Sequence, residues 1–336
     1  MTLTRRTLFA AASAAAILTG TLAAHAADLP RNIRLVIGST STGGDTYQAA
    51  AIVADELSNK LGVNIKVDAV GAVNGFKALE RDSRGTTIML FHDFAYLAEL
   101  YDGKGFENPF EAYKVGPTIA TNPGNAYLVA ADSPYHTMED ILTAAANGTR
   151  IRVAIQPGGV SEIGFSAMKN AAKVRAPGSE ANIVPVNTGS QSDKNQAMWD
   201  DLADVINGSI QANEQFTQLD SDDQKAMRFI WITATPETLG LAPEAGMGKL
   251  TRDDMLEYAS PVTSVTFDGT EDFTFDKEFF LLYNKDMDDA MIATIDQALT
   301  EIYAEGKIQE RETEAFFMPN FRPTAEAAAH LEAFEN

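Results

Sequence analysis

The spacing of apolar and polar positions changes period several times along the chain, and each change marks an element. Residues 33–37, Ile-Arg-Leu-Val-Ile, read as a buried strand. From Asp45 the spacing turns helical, with Thr46, Ala50, Val53, Leu57 and Leu61 on one stripe and Gly62 as the stop. Residues 63–70 form the next strand, the turn at Gly71 enters a second helix, and 86–93 is a third strand. Strand, helix, strand, helix, strand at this spacing predicts a parallel sheet with right-handed crossovers.

The second half of the chain repeats the first at a constant offset. Ile33 recurs as Ile151, Asn64-Ile65 as Asn182-Ile183 and Gly71 as Gly189, each 118 positions on. Each first strand is followed by a Gly-rich loop and a helix, STSTGGDTYQ in one copy and QPGGVSEIGF in the other. Two similar α/β lobes are the economical reading, and about 310 residues beyond the leader exceed the usual size of one core. The chain end reads as a strand and a long amphipathic helix, with Ile292, Ile295, Leu299 and Ile302 buried and Gly306 at its end. It has no third Gly-rich loop, so it is expected to return and pack on the first lobe. The expected division is 27–126 plus 255–336 for lobe 1 and 127–254 for lobe 2.

The two loops carry the candidate chemistry. A helix start leaves backbone N–H groups unpaired and bears partial positive charge, and glycine lets an anion approach that backbone. Taken singly, Gly43-Gly44 and Gly158-Gly159 are satisfied by a turn with Asp45, Thr46 or Ser161 as helix cap. The repeated placement favours ligand contact for the pair, with hydroxyls from Thr40, Ser41, Thr42, Thr46 and Ser161 as further donors. Val160 and Glu162 belong to the second loop, Glu162 being read as a partner of the helix dipole. His92-Asp93 ends the third strand, where α/β sheets present residues to ligands. His92 is read as a pocket residue rather than a base. Tyr47 and Phe94 are expected to line the cleft, and Asn207 to reach its floor.

The first 26 residues narrow the destination. Arg5-Arg6, an Ala-rich apolar stretch and Ala24-His25-Ala26 form a secretory signal of Sec or twin-arginine type, cleaved near Ala26. The net charge is −21, and loss of the leader's two arginines takes it to −23. Nucleic acid and anionic membranes are poor partners for such a surface. The chain contains no cysteine, so disulfides and thiolate chemistry are excluded. No cluster of His, Asp and Glu has metal-ligand spacing, and no metal or cofactor is expected.

Enzyme motifs are missing. The chain has neither G-x-x-x-x-G-K-[ST] nor a G-x-G-x-x-G after its first strand, and Ser161 does not sit in G-x-S-x-G. An exported α/β hydrolase using Ser161 stands as the alternative from another class.

The order of these segments resembles the Bug-type periplasmic receptors of tripartite tricarboxylate transporters. The resemblance rests on 33–47, on ADELSNKLGVNIKVDAVGA, GTTIMLFHD, AYLVAADSPYHTMEDIL and IRVAIQPGGVSEIGF, and on LADVINGSI. It implies an α/β fold of two lobes, a flytrap of type II-like form, each lobe a mainly parallel sheet flanked by helices. It further implies a monomeric, extracytoplasmic solute-binding protein, outside the membrane, that passes a small organic anion, often a di- or tricarboxylate, to permease subunits. A relative that presents its ligand to a sensor kinase is a variant of that role. The family's carboxylate loops fall on Ser39–Tyr47 and Gly158–Glu162, and its Tyr-x-Gly-Gly segment appears here as Asn187-Thr188-Gly189-Ser190. Where the family has an acid three residues after the first Gly pair, and an arginine further on, this chain has Tyr47 and Ile52, with Asp45 directly after Gly44. Those departures bear on the ligand more than on the fold.

Overall fold

A computed structural model describes residues 29–93, 109–157 and 159–332. The chain opens with β1 (Asn32–Ile37), α1 (Asp45–Leu61), β2 (Asn64–Ala69), α2 (Ala72–Glu80) and β3 (Thr87–His92). The burial stripe of α1 is the one its spacing predicts, with Thr46, Ala50, Val53 and Leu57 buried. Gly62 stops it in a left-handed conformation, φ 65°, that returns its N–H to the Ser58 carbonyl. A short α3 (Pro109–Ala112) leads into β4 (Tyr113–Asn122).

The second lobe follows as β5 (Asn125–Ala130), α4 (Met138–Ala146), β6 (Ile151–Ile155), α5 (Val160–Arg175), β7 (Ile183–Asn187), α6 (Gln191–Trp199) and β8 (Ile206–Ser209). Then come α7 (Ile210–Thr217), β9 (Met227–Ile232), α8 (Pro236–Leu241) and α9 (Arg252–Leu256). The chain returns to the first lobe through β10 (Lys277–Asn284), α10 (Asp289–Glu305), α11 (Lys307–Glu314), β11 (Met318–Arg322) and α12 (Thr324–Glu332).

The internal repeat is visible in the hydrogen-bond ladders. Ile33 pairs with Ile65 on β1 and β2, and Ile151 pairs with Ile183 on β6 and β7, each partner displaced by 118 positions. Parallel pairing is confined to the helix-connected strands. The large sheet has the order β11-β4-β10-β3-β1-β2, in which β1, β2 and β3 are parallel. β10 runs antiparallel to both β3 and β4, and β11 antiparallel to β4. In the second lobe β6 and β7 are parallel, whereas β5 is antiparallel to β8 and β9. The expectation of mainly parallel sheets is therefore corrected to mixed ones. Strands that enter from the other lobe or by a hairpin-like return need no helical crossover and can run either way.

The terminal return packs as expected. Ile292, Ile295, Leu299 and Ile302 of α10 share one apolar core with Leu35, Val53, Leu57 and Leu90. A separate core forms in the second lobe around Tyr127, Val153, Met168 and Trp231.

The chain crosses between lobes at residues 123–124 and again between β9 and β10. The two crossings are tied to each other: Thr233 N–H donates to the Asn125 carbonyl, the Thr233 hydroxyl accepts from Asn125 N–H, and Phe275 N–H donates to the Thr233 carbonyl, all at 2.9 Å. Gly124 has φ 87°, and a Cβ there would lie 2.7 Å from the Thr233 hydroxyl and 2.8 Å from the Ala234 nitrogen. Only glycine fits both the turn and the neighbour. A third link is made by side chains. Phe317 is buried in the first lobe's core, while the adjacent Phe316, φ 64°, is buried among Met247, Leu239 and Ile232 of the second lobe. Gly246 makes room for it, since a Cβ there would lie 2.5 Å from the Phe316 Cα.

Candidate ligand-binding site

A cavity of about 300 Å³ opens where the two lobes meet. Its first-lobe wall is built from the β1–α1 loop (Gly38, Ser39, Ser41, Gly44), the first residues of α1, the start of α2 and His92 at the end of β3. Its second-lobe wall is formed by Gln156, Pro157, Gly159, Val160 and Ser161 between β6 and α5, with Gln191 and Lys194 of α6 and Gly208-Ser209 at the end of β8. Asn125 and Lys277, the first residues of β5 and β10, close the hinge side. The cavity thus lies beyond the carboxyl ends of β1, β3, β6 and β8, where open α/β sheets leave a crevice.

Several helix starts face this space because strand, loop and helix follow one another so tightly. α1 and α5 begin after Gly44 and Gly159, neither of which offers a capping side chain. The α5 loop is held by its own hydroxyl: Ser161 Oγ accepts the Gln156 N–H at 2.7 Å.

The charges are buried. Asp45, His92, Lys194 and Lys277 are 8%, 8%, 7% and 4% exposed. The Lys277 ammonium pairs with Asp45 Oδ2, which also accepts from Asn122 Nδ2 at 3.0 Å, while Asp45 Oδ1 accepts from Thr46 N–H at 2.8 Å. Burial alone would raise the Asp45 carboxyl, but the charge and hydrogen bond of Lys277 outweigh it and hold the group below its ordinary value. Burial and the Lys277 charge push His92 down to about 3, so its imidazole is neutral. Lys194 donates from Nζ to Asn207 Oδ1 at 2.8 Å. Burial, with Lys277 adding and Asp45 opposing, brings its ammonium down to about 7. Asn125 Oδ1, buried in the same wall, has no hydrogen-bond partner among the described residues. Among the described residues no group of three His, Asp or Glu side chains is placed to hold a metal ion.

Solved structures share this architecture along nearly the whole chain. The periplasmic binding protein BugD is 15% identical with a TM-score of 0.67, over 90% of this chain and 93% of that one. MatC from Rhodopseudomonas palustris, solved with malate, is 13% identical with a TM-score of 0.67, over 90% and 96%. An R. palustris protein solved with adipate is 13% identical with a TM-score of 0.66, over 91% and 94%. The fold is that of the Bug-type binding proteins. No protein-family model and no curated protein matches the sequence.

On this Bug-type frame the residues singled out from sequence fall into groups. Ser39, Ser41, Gly44, Asp45, Thr46, His92, Gly159, Val160 and Ser161 line the cavity. Asn207 stands behind it, holding Lys194. Thr42, Gly43 and Tyr47 turn away from it and line a wider groove of about 620 Å³ on the other side of Gly44, shared with Gln211, Glu214 and Gly248 of the second lobe. The helical turn after Gly44 carries them round, so the expectation that Tyr47 walls the same cleft as Asp45 is corrected. Thr40 links the lobes instead, its hydroxyl donating to the Gly189 carbonyl at 3.0 Å. Asp93 accepts the Glu278 N–H at 3.0 Å and fastens β3 to β10. Glu162, on the first turn of α5, and Asn187, exposed at the end of β7, are outside the cavity wall. Phe94 and Gly158 lie outside the described residues.

Sequence reasoning missed both lysines, Asn125, Gln156 and Gln191. Lys277 left a trace, as the single cation heading the apolar run EFFLLY. Lys194 left none, because in QSDKNQAMW it looks like any surface lysine.

Proposed function

We propose that this chain is an extracytoplasmic solute-binding protein that captures a small organic acid between its lobes and delivers it to a membrane transporter. The observation that carries the reading is a net-positive cavity inside a strongly acidic chain. Lys194 and Lys277 face it against one carboxylate, Asp45, beside the uncapped starts of α1 and α5. Charges buried from water act at short range with little screening, so the acidic exterior does not cancel them. The Bug-type fold and the malate and adipate held by two proteins that share it support the carboxylate class.

The residues assigned to ligand contact are Ser39, Ser41, Thr46, Asn125, Gly159, Ser161, Lys194 and Lys277. The leader at 1–26 assigns the protein to the periplasm, and permease subunits of a tripartite transporter are the proposed recipients. The protein works as a monomer, with lobe 1 running to residue 124 and resuming at β10, and lobe 2 formed by the residues between.

The test is a thermal-melt screen of the mature protein against organic acids, amino acids, sugars and phosphonates. A ligand at 100 times its Kd adds about 2.7 kcal/mol. Stabilisation by a neutral or cationic solute alone refutes the reading. Ser161→Ala separates it from the hydrolase alternative. In a receptor the change loosens the α5 loop and weakens affinity, whereas in a hydrolase it abolishes turnover. The engagement of the Ser161 hydroxyl with the Gln156 main chain favours the receptor.

A further inference from the structure

We infer that Lys194 is the ligand's counter-ion and that the pocket selects a carboxylate bearing a single negative charge. The inference rests on the solute-binding reading above and narrows its substrate class.

The argument is a charge count within the cavity wall. Four titratable side chains face the space: Asp45 from α1, His92 from β3, Lys194 from α6 and Lys277 from β10. Asp45 and Lys277 form a contact pair and cancel. Asn122 and the Thr46 amide also donate to Asp45, which keeps its carboxylate ionised within the pair. His92 is neutral. Lys194 remains, held by the neutral Asn207 and by no carboxylate among the described residues. One ligand carboxylate balances that charge. A second would leave a net negative charge buried from water. The helix starts offer less than their number implies, because α1, α5 and α6 already carry Asp45, Glu162 and Asp193 in their first turns.

The burial of Lys194 adds a consequence for protons. Burial and the neighbouring Lys277 ammonium bring the Lys194 ammonium down to about 7. An anion at hydrogen-bond distance favours the ammonium, so binding draws the missing protons from solution. Of the groups facing the cavity, Asp45 and His92 titrate well below this range.

The experiment is titration calorimetry of the mature wild-type protein with succinate and with its monoamide, succinamate, which has the same shape and one charge fewer. Each titration is run at pH 6, 7 and 8 in two buffers of different ionisation enthalpy. The expected result is at least tenfold tighter binding of succinamate, with net proton uptake on binding near neutral pH. Affinity should be nearly constant below pH 7 and decline above it. In Lys194→Met, with its fold checked by thermal melting, succinamate affinity should fall at least tenfold at pH 6 and the proton uptake should vanish. Equal or tighter binding of succinate overturns the inference while leaving the receptor reading intact. Unchanged succinamate affinity in Lys194→Met overturns the counter-ion assignment. Failure of every organic acid to bind, alongside binding of a neutral solute, removes the receptor reading and this inference together.

Discussion

Glu312 is the group through which pH should act most strongly on the stability of the first lobe. It lies on α11 with 1% of its surface exposed, facing the Tyr303 hydroxyl, and its Oε2 has no partner among the described residues. Tyr303 can give its one proton to the Ile119 carbonyl, 3.0 Å away, only if the carboxyl supplies the proton of the other bond. That arrangement fits a protonated Glu312, and burial raises its carboxyl from 4.5 to about 8. The folded pKa lies above the unfolded one. The folded state therefore holds a proton that the unfolded chain releases, and this stability is full below about pH 4.5 and is lost as pH rises towards 8. At 1.36 kcal/mol per unit, the loss between pH 5.5 and 7.5 is about 2.5 kcal/mol. Glu312→Gln keeps the shape and the neutral charge and removes the titration. Urea unfolding of both proteins at pH 5.5, 6.5 and 7.5 gives the comparison, with every other titrating group cancelling in the difference. The variant should gain on the wild type by about 2.5 kcal/mol across that range. A difference that stays flat with pH would show that Glu312 is ionised in the fold and would refute the reasoning.

Two further perturbations probe the site and the lobe junction. Lys277→Met leaves the Asp45 carboxylate buried with only neutral partners and should cost about 3–5 kcal/mol, while adding Asp45→Asn should restore most of it; a single variant as stable as wild type in urea would show that the pair is not desolvated. Phe316→Ala empties a site in the second lobe's core and should cost about 3–5 kcal/mol, resolving the calorimetric unfolding into two transitions as the lobes uncouple; one unshifted transition would contradict the contact.

Much of the frame was legible because it follows from local periodicity. The α1 stripe, its stop at Gly62 and the 118-residue repeat translate directly into burial, a left-handed cap and matched ladder registers. Strand direction was less legible. Nothing in EFFLLY says whether β10 enters its sheet with or against β3, since both directions bury the same side chains. The site was half legible. The Gly-rich loops marked the starts of α1 and α5, but one helical turn decides which loop residues face the cavity. Thus Asp45 and Thr46 line it, while Tyr47 faces the other groove. Lys194 and Lys277 come from segments 83 positions apart in the sequence, and only the closing of two sheets onto one hinge brings them to a common space.

The neighbouring rings Phe316 and Phe317 constrain how this molecule can move. Two crossing strands side by side define a hinge about which two lobes can swing freely. A third attachment, a ring from one lobe seated in the core of the other, is compatible with such a swing only if the rotation axis passes through it as well. Otherwise the ring must slide or withdraw as the lobes part, at the cost of exposing it. A relative motion of the lobes that keeps the Phe316 socket filled is confined to small-angle, shear-like displacement.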